Sequence, residues 1–480
     1  MSRLLTQLGI RENPFSALSA EDEPDIDQYF IRPPYYRYIN ERGLKCQTCI
    51  LFGERGAGKS ATRLTLKNEA WRRIKRNDDF PVIPVTLDNY QAILDRGLNK
   101  VTVGGFVREA CFLVVEAVLV WLTSLAEDER ETYVAGLDSS ELELAIQLVD
   151  RFYLSRPEMA RSLSSKKTLQ LLSQAWPQRT ALWVAKRWDA LATIVSRTAL
   201  AITQRKTELK LDVEKEVEQL LLPGTEARWD EERYARSALE KAVEFSRLFG
   251  FGGVTVLLDK ADETTETGGS KDSPLKTAQL LHPLLVTTSL LEIDGLGWIF
   301  FLWDKVKEPY SDSGGFTIRL DKIANATIKW EPAHLEDLVT KRLGHFSDNR
   351  VSQIAQLVSG DVDAQDFTST IVDLSMMSPR ELVRILDICI REHDEMYDHE
   401  ESMPLLTPES IGRGLDRYVS ERVKVIYKPD DIRQLIRLGM TAFVNKDVQG
   451  KFKINESSAR NRIKRWEGTG IVTHTGQRRA

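Results

Sequence analysis

The stretch ILFGERGAGKSATRL, from Ile50 to Leu64, joins an apolar run, a glycine-rich loop and a segment with helical character. The spacing G-x-x-x-x-G-K-S is met from Gly53 to Ser60. Glycine permits backbone angles that a side chain forbids, so such a loop can direct several N–H groups at one anion. The helix that follows points its positive end at the same anion. This order predicts an α/β core with a parallel sheet and a loop that binds a nucleoside triphosphate.

The loop assigns a role to each of its polar residues. We expect the nucleotide to contact Gly53, Gly56, Gly58, Lys59, Ser60 and Ala61. Lys59 brings a positive charge to the terminal phosphates, and Ser60 places a hydroxyl where it can bind Mg²⁺. The expected fold class is therefore a P-loop NTPase core, and the expected cofactors are ATP and Mg²⁺.

Acidic residues follow a second apolar run, VTVLLDKADE, which begins at Val254. Asp259 ends this predicted strand and would hold Mg²⁺ together with Ser60. Asp262 and Glu263 lie just beyond it, and either could orient a water molecule onto the γ-phosphate. Lys260 stands where many ATPases place a catalytic glutamate, so the identity of the base stays open between the two acids.

Three more apolar runs predict further strands: DFPVIPVTLD from Asp79, LGWIFFLWD from Leu296 and RLDKIANATIKW from Arg319. From about Val107 to Phe249 the apolar residues instead recur at helical spacing, so the chain is expected to be mainly helical overall. This stretch is too long for one crossover and predicts a helical insertion, either an arm or a small bundle, that contacts a protein partner.

The predicted organisation has three parts. Residues 1–330 form the ATPase domain, with an N-terminal segment at 1–45 and the insertion at about 107–249. Residues 331–425 form a helical lid, and residues 426–480 form a winged helix-turn-helix. In the lid, MSPREL places Pro379 and Arg380 at the start of a helix, where Arg380 would face the nucleotide or lie in solvent.

Composition and charge favour a soluble globular protein with a basic end. The 480 residues are 42% hydrophobic and 29% charged, with a net charge of −5. From Lys446 onward there are nine Lys/Arg and three Asp/Glu, a net charge of +6, which leaves −11 for the rest. The N-terminus lacks the pattern of a signal peptide, and the longest apolar run, from Cys111, contains Glu116. We expect a cytoplasmic protein without a membrane segment.

The basic end predicts contact with double-stranded DNA. Two short helices, a third helix in NESSARNRIKRWEG and a strand in IVTHTGQRR make up a winged helix-turn-helix. Ala459, Ile463 and Trp466 would pack inward. The residues expected to contact DNA are Arg460, Arg462, Lys464, Arg478 and Arg479. The alternatives are a protein-interaction module and a basic helix that is only solvated.

Cys46 and Cys49 form a C-x-x-C, which raises the possibility of a zinc or redox site. Cys111 and Cys389 are solitary, so no four-cysteine set is visible. We therefore interpret the pair as part of the strand that leads into the phosphate loop.

With the phosphate loop, the acid-ended strand, the lid and the basic end in this order, the chain resembles AAA+ ATPases of the origin-recognition-complex type. It is also similar to the STAND and KAP signalling NTPases, because the second acid in LLDKADE is displaced from Asp259. NPF at Asn13 and FIRPPYYRYI at Phe30 match the segment that precedes the loop in such proteins. The residues of the predicted insertion are outside the resemblance.

The resemblance implies roles for three more residues. Arg380 would sense the γ-phosphate, as the sensor-2 arginine of AAA+ lids does. Arg319 is a candidate arginine finger, which implies self-assembly. Asp304 stands where a polar sensor-1 residue is expected.

Three functions stay open at this stage. The first is an ATPase that assembles under nucleotide control and acts on DNA. The second is a switch that hydrolyses ATP slowly and signals to a protein partner, which Lys260 favours. The third is a DNA-binding regulator in which the nucleotide only holds the fold together.

Overall fold

A computed structural model describes residues 2–23, 25–76, 78–156, 197–204, 234–268, 273–311, 314–426, 428–468 and 471–476. These residues form two compact units. The sheet unit consists of Ala17–His345 and Ser375–Glu381, and the helical unit of Met1–Ser16, Phe346–Leu374 and Leu382–Ala480. Both units are assembled from separate stretches of the chain.

The sheet unit contains one parallel sheet of five strands. The strands are β1 (Cys49–Gly53), β2 (Val82–Leu87), β3 (Gly253–Leu258), β4 (Leu296–Trp303) and β5 (Asn325–Thr327). Their order across the sheet is β2-β3-β4-β1-β5, and every neighbouring pair is parallel. The five strands predicted for the sheet are therefore confirmed, and with them the α/β core.

The helices surround the sheet or form the helical unit. In chain order they are α1 (Arg3–Gln7), α2 (Ile26–Tyr29), α3 (Pro34–Leu44), α4 (Lys59–Lys75), α5 (Val103–Ser124), α6 (Glu127–Ala135), α7 (Ser139–Leu148), α8 (Ala235–Leu248), α9 (Ser273–Val286), α10 (Thr288–Leu291), α11 (Lys307–Tyr310), α12 (Pro332–Phe346), α13 (Ala364–Leu374), α14 (Pro379–Met396), α15 (Pro408–Ile426), α16 (Pro429–Leu438), α17 (Asn445–Phe452) and α18 (Glu456–Gly468).

Two apolar layers enclose the sheet, because successive side chains of a strand point to opposite faces. Ile50 and Phe52 of β1 join the layer that contains α5, α7, α8 and α9. Cys49 and Leu51 join the smaller layer under α3 and the start of α4. Strands that are buried on both faces are expected to be apolar throughout, as β1 and β4 are, and as β3 is apart from Thr255.

The crossovers that follow β1 and β4 lie on opposite faces of the sheet. After β1 the chain enters α4, and Leu66 of α4 packs in the smaller layer. After β4 the chain passes through Val306 and Tyr310, which pack in the larger layer. In open α/β sheets, ligands bind outside the carboxyl ends of strands at such a switch point. A ligand site is therefore expected at the carboxyl ends of β1 and β4, where the glycine loop begins.

The described ends of the predicted insertion are part of the core. α5 packs against β2 and α8, and α8 packs against β3. Phe106, Val115 and Leu239 are buried in the larger apolar layer. α5 and α8 therefore lie against the sheet and α7 packs on α8, while the helical insertion as an arm or a small bundle stays a prediction. Residues 157–196 and 205–233 of the predicted insertion lie outside the described residues.

The C-terminal part of the helical unit has a small apolar core of its own. Ala459 and Trp466 are fully buried in it, and Ile463 packs against them, so the predicted inward face of α18 is confirmed. Asn455 Oδ1 accepts a hydrogen bond of 2.8 Å from the backbone N–H of Ser458, as expected of a helix cap. No strand follows α18 in residues 471–476, where a strand was predicted.

The C-x-x-C pair is divided between a turn and a strand. Cys46 lies in a turn with a φ of 52°, outside the strand in which it was predicted, and Cys49 opens β1. Burial raises the pKa of the Cys46 thiol to about 11 and that of Cys49 to about 12, so both stay protonated near neutral pH.

None of the described helices is long and apolar enough to cross a membrane.

Candidate functional site

The glycine loop connects the carboxyl end of β1 to the first residue of α4. Gly56 has a φ of 82° and Gly58 has a φ of 93°, which are left-handed conformations that side chains strongly disfavour. A Cβ atom at Gly56 would also lie 2.8 Å from Ser378 Oγ. The glycine spacing in the sequence therefore corresponds to a loop whose backbone conformation depends on Gly56 and Gly58.

The Lys59 side chain folds back over this loop. Its Nζ atom donates hydrogen bonds to the carbonyl oxygens of Gly53 at 2.8 Å and Glu54 at 3.0 Å. Burial lowers the pKa of Lys59, and the nearby carboxylates of Asp262 and Asp259 act to raise it. The ammonium group thus lies inside the loop, within electrostatic reach of the acids that follow β3.

Two further segments of the sheet unit hold the loop in place. Trp330 Nε1 donates a hydrogen bond of 2.9 Å to the carbonyl oxygen of Ala57. On the other side, the Cβ and Cδ atoms of Arg380 lie 3.2 and 3.7 Å from the Cβ position of Gly56. Met376 and Met377, with φ of 52° and 58°, turn the chain just before this contact. The structure therefore places Arg380, an exposed residue at the start of α14, beside the predicted phosphate loop.

Asp259 follows β3 at the same edge of the sheet and is almost fully buried. Its Oδ2 atom accepts a hydrogen bond of 2.8 Å from Arg63 Nε, and its Oδ1 atom accepts one of 2.9 Å from the backbone N–H of Lys260. Tyr90 donates its hydroxyl proton to the carbonyl oxygen of Asp259 at 3.0 Å. Both the carboxylate and the backbone of Asp259 are thus fixed by neighbours.

Asp259 belongs to a network of charged groups that also contains Arg63, Glu21 and Lys260. Arg63 also contacts Glu21 Oε1 at 2.7 Å, and Lys260 Nζ lies 2.7 Å from the same oxygen. Burial acts to raise the pKa of Glu21, but the hydrogen bonds from Lys260 and Ser19 and the charge of Arg63 lower it to about 2. Glu21 is therefore ionised at neutral pH. Arg63 and Lys260 face the carboxylates of Asp259 and Glu21, and the nearby carboxylate of Asp88 acts on both cations as well.

The two acids predicted to orient water differ in their surroundings. Asp262 is buried, and its Oδ2 atom lies 3.1 Å from Arg55 Nε. The Arg55 guanidinium also lies 4.4 Å from the centre of the Trp303 ring, and Trp303 Nε1 donates a hydrogen bond to Glu54 at 3.0 Å. Glu263 is exposed. Of the two, Glu263 is the acid with free access to solvent.

Asp304 and Arg319, the two other residues to which the resemblance assigns roles, each form an ion pair with a residue close to them in sequence. Asp304 Oδ1 lies 2.5 Å from Lys307 Nζ, just after β4. Arg319 is exposed and contacts both carboxylate oxygens of Asp321, at 2.9 and 2.7 Å. An arginine finger acts across to a neighbouring copy, so the exposed position of Arg319 leaves that prediction open.

Mg²⁺ takes oxygen ligands and is usually held by one or two carboxylates together with substrate phosphates. Ser60 lies three positions before Arg63 on α4, and residues at this spacing share a face of a helix. Arg63 contacts Asp259, so Ser60 lies on the face of α4 that is turned toward Asp259. The described residues hold no group of three or more His, Cys, Asp or Glu side chains suited to a metal. Ser60 and Asp259 offer one hydroxyl and one carboxylate, so a magnesium ion at this place would have to take its other ligands from a nucleotide and water.

A cavity lies at the amino ends of the strands, away from the glycine loop. It has a volume of about 550 Å³ and is lined by residues that precede β1, β4 and β5. Arg42, Lys45 and Lys322 bring positive charges to its wall, and Glu292 and Asp294 bring negative ones. Because it lies at the amino ends of the strands, it shares no residue with the glycine loop.

The predicted DNA-binding residues of α18 are not equivalent. Arg460 and Lys464 are exposed, and Arg460 lies 2.8 Å from Glu456. Arg462 instead packs its guanidinium 4.5 Å from the centre of the Phe452 ring. Arg478 and Arg479 lie outside the described residues. Arg460 and Lys464 are therefore the predicted DNA-binding residues of α18 that are exposed, and Arg465, which is also exposed, pairs with Asp431.

Sequence reasoning missed three charged residues of these ion pairs, two cations and one anion. Arg63, Glu21 and Arg55 carry no motif, and their partners lie 42 to 207 residues away in the chain. One signal was available for Arg63, which stands among apolar and small residues on the buried side of α4. An arginine in such a position needs a carboxylate partner.

No protein-family model matches the chain, and comparison with curated proteins finds no significant match.

Proposed function

We propose that this chain binds ATP in the loop from Gly53 to Ser60 and hydrolyses it with Mg²⁺, as a nucleotide-controlled switch or machine associated with DNA. In this proposal it is an ATPase similar to the AAA+ and STAND proteins. The observation that carries the proposal is the loop itself. Two left-handed glycines and the Lys59 ammonium lie between a parallel strand and a helix start, at the switch point of the sheet.

Binding would use groups that already converge on the loop. The first N–H groups of α4 have no partner within the helix, and the helix dipole adds a partial positive charge there. Lys59 has three donors, so its ammonium can exchange a loop carbonyl for a phosphate oxygen. Magnesium, when bound through Ser60 and Asp259, would supply further positive charge to the phosphates. These contacts favour a triphosphate over an uncharged nucleoside.

Hydrolysis would require an acid that can reach water. Glu263 is exposed and follows the strand that ends in Asp259, which supports it as the residue that orients water. Asp262 is held by Arg55 and is the weaker candidate for this role. Arg380 lies beside Gly56, so it would add positive charge near the terminal phosphate during transfer.

DNA association would use the helical unit. Arg460 and Lys464 are one helical turn apart and exposed on α18, whose other face packs into the local core. This arrangement leaves a basic surface free for phosphates. The charge of the C-terminal stretch, +6 against −11 for the rest, supports the same assignment.

A second candidate is a STAND-like signalling protein that binds ATP, hydrolyses it slowly and regulates a protein partner without DNA. The ion pairs after β3 favour it. Lys260 stands in the usual glutamate position with its ammonium on Glu21, and Asp262 is held by Arg55. In this candidate the residues of the predicted insertion would contact the partner.

The test is equilibrium binding of ATP to Lys59→Ala. Loss of a charge-assisted contact to the phosphates should weaken binding by at least about tenfold. The matched control is Lys241→Ala on α8, since Lys241 pairs with Glu244 away from the loop. Binding by Lys59→Ala that equals the parent, or an equal loss in both variants, would show that the loop is not the site.

A further inference from the structure

The Arg63 guanidinium is the charge least explained by the proposed function. Only 2% of its side chain is exposed, and it lies between Asp259 and Glu21 at 2.8 and 2.7 Å. Lys260 contacts the same oxygen of Glu21. The Asp259 carboxylate is therefore paired with a cation of the protein itself, and Asp88 adds a further negative charge that acts on both Arg63 and Lys260.

An unpaired carboxylate at the position of Asp259 would make nucleotide binding depend on a divalent cation. It would repel the phosphates of metal-free ATP, and a divalent cation would remove the repulsion by binding both. Affinity would then depend strongly on Mg²⁺. Arg63 removes this dependence on Mg²⁺ in two ways. It cancels the charge of Asp259, and it repels a cation that approaches Asp259.

The position of Arg63 on α4 makes this effect local to the nucleotide. Arg63 is one helical turn after Lys59 and Ser60, on the face of the helix that meets β3. Glu21 offers it a second carboxylate, so Arg63 can keep a partner if a metal ion engages Asp259. The protein cation and the metal ion thus compete for one carboxylate beside the same loop.

From these contacts we infer that Arg63 acts as a built-in countercharge to Asp259, so that the chain binds ATP nearly as tightly without Mg²⁺ as with it. The inference rests on the proposed function, because it concerns ATP in the same loop. It adds that the metal serves hydrolysis and is not needed for loading. Arg63 is a positioning residue in this account, since it acts through Asp259 and not on the substrate.

The experiment measures the Kd of ATP by calorimetry on the full chain, once with excess MgCl₂ and once with EDTA. For the parent protein we expect the two Kd values to agree within about threefold, whereas Arg63→Met should bind at least tenfold more weakly in EDTA than in MgCl₂. Arg73→Met, on the same helix but paired with Glu69, should behave like the parent. Arg63→Lys keeps the charge and should retain most of the metal-independent binding.

The double variant Arg63→Met/Asp259→Asn guards against loss of fold, because it removes both charges of the buried pair. It should bind ATP equally in MgCl₂ and EDTA. A parent protein that loses tenfold or more of its affinity in EDTA would overturn the inference, and so would an Arg63→Met variant whose two Kd values agree. Absence of ATP binding in both conditions would instead overturn the proposed function, so the two failures are distinguishable.

Discussion

Asp259 and Glu263 lie four positions apart after β3, yet their side chains occupy opposite environments. Asp259 is buried against Arg63, and Glu263 is open to solvent. The contrast suits one acid that is held in place beside the metal and another that is free to contact water. Each role makes a separate prediction for its amide variant.

Asp259→Asn should keep ATP binding and lose Mg²⁺-dependent hydrolysis by at least about a hundredfold, because a catalytic charge is removed. Glu263→Gln should also bind ATP, and it should slow hydrolysis by about a hundredfold or more, the usual contribution of a general base. The measurement is single-turnover hydrolysis beside the ATP Kd of each variant. Equal loss of ATP binding in both variants would show that Glu263 has a structural role instead.

The residue scale also shows what sequence could and could not predict. Lys59 and Ser60 could be singled out because their chemistry depends on neighbours within a few positions. The pairing of Arg63 with Asp259 spans 196 positions and leaves no local pattern. The partners in a buried ion pair are determined by how strands and helices pack. Residue spacing along the sequence therefore could not identify Asp259 as the partner of Arg63.

At the scale of elements, the strands were predictable and the covering helices were less so. Apolar runs that end at Gly or lead into Asp predicted β1 to β4, because both faces of a parallel sheet are buried. β5 is short and partly exposed, and its run in the sequence ends in neither residue. α5 and α8 carry ordinary helical periodicity, which is the same for a helix on a sheet and a helix in a separate bundle. Their place in the core therefore needed the packing itself.

The basic residues of α18 and of the C-terminal end predict how DNA binding should depend on salt. Replacing four basic residues by Ala should flatten the slope of log affinity against log salt by about 3 to 4 units, at about 0.9 for each phosphate contact. The four residues are Arg460, Lys464, Arg478 and Arg479. Binding to a duplex should be followed by fluorescence anisotropy over a range of salt concentrations.

A matched variant carries the same change of charge elsewhere in the helical unit. It replaces four arginines that pair with acids of that unit: Arg350, Arg391, Arg413 and Arg433. Its salt slope should equal that of the parent. A slope that is unchanged in the first variant would place DNA elsewhere, and a parent that binds no DNA at low salt would favour the signalling candidate.

At the scale of the whole molecule, the two compact units do not follow the order of the chain. Ser375–Glu381 belongs to the sheet unit, although α14 continues from it into the helical unit. This short stretch brings Arg380 to the loop across more than three hundred residues of sequence. Composition and periodicity are read along the chain, so they predict elements better than they predict such assemblies.

The central claim is that ATP binds at the glycine loop and at no other place in the molecule. Hydrogen–deuterium exchange over the whole chain, with ATP, with adenosine and without ligand, tests it directly. Bound phosphates should accept hydrogen bonds from the N–H groups of residues 56–61, so ATP should slow exchange in peptides that cover 50–66, and adenosine should not. Saturating ATP that leaves these peptides unchanged, or that protects the segments around Arg42, Lys45 and Lys322 instead, would contradict the account.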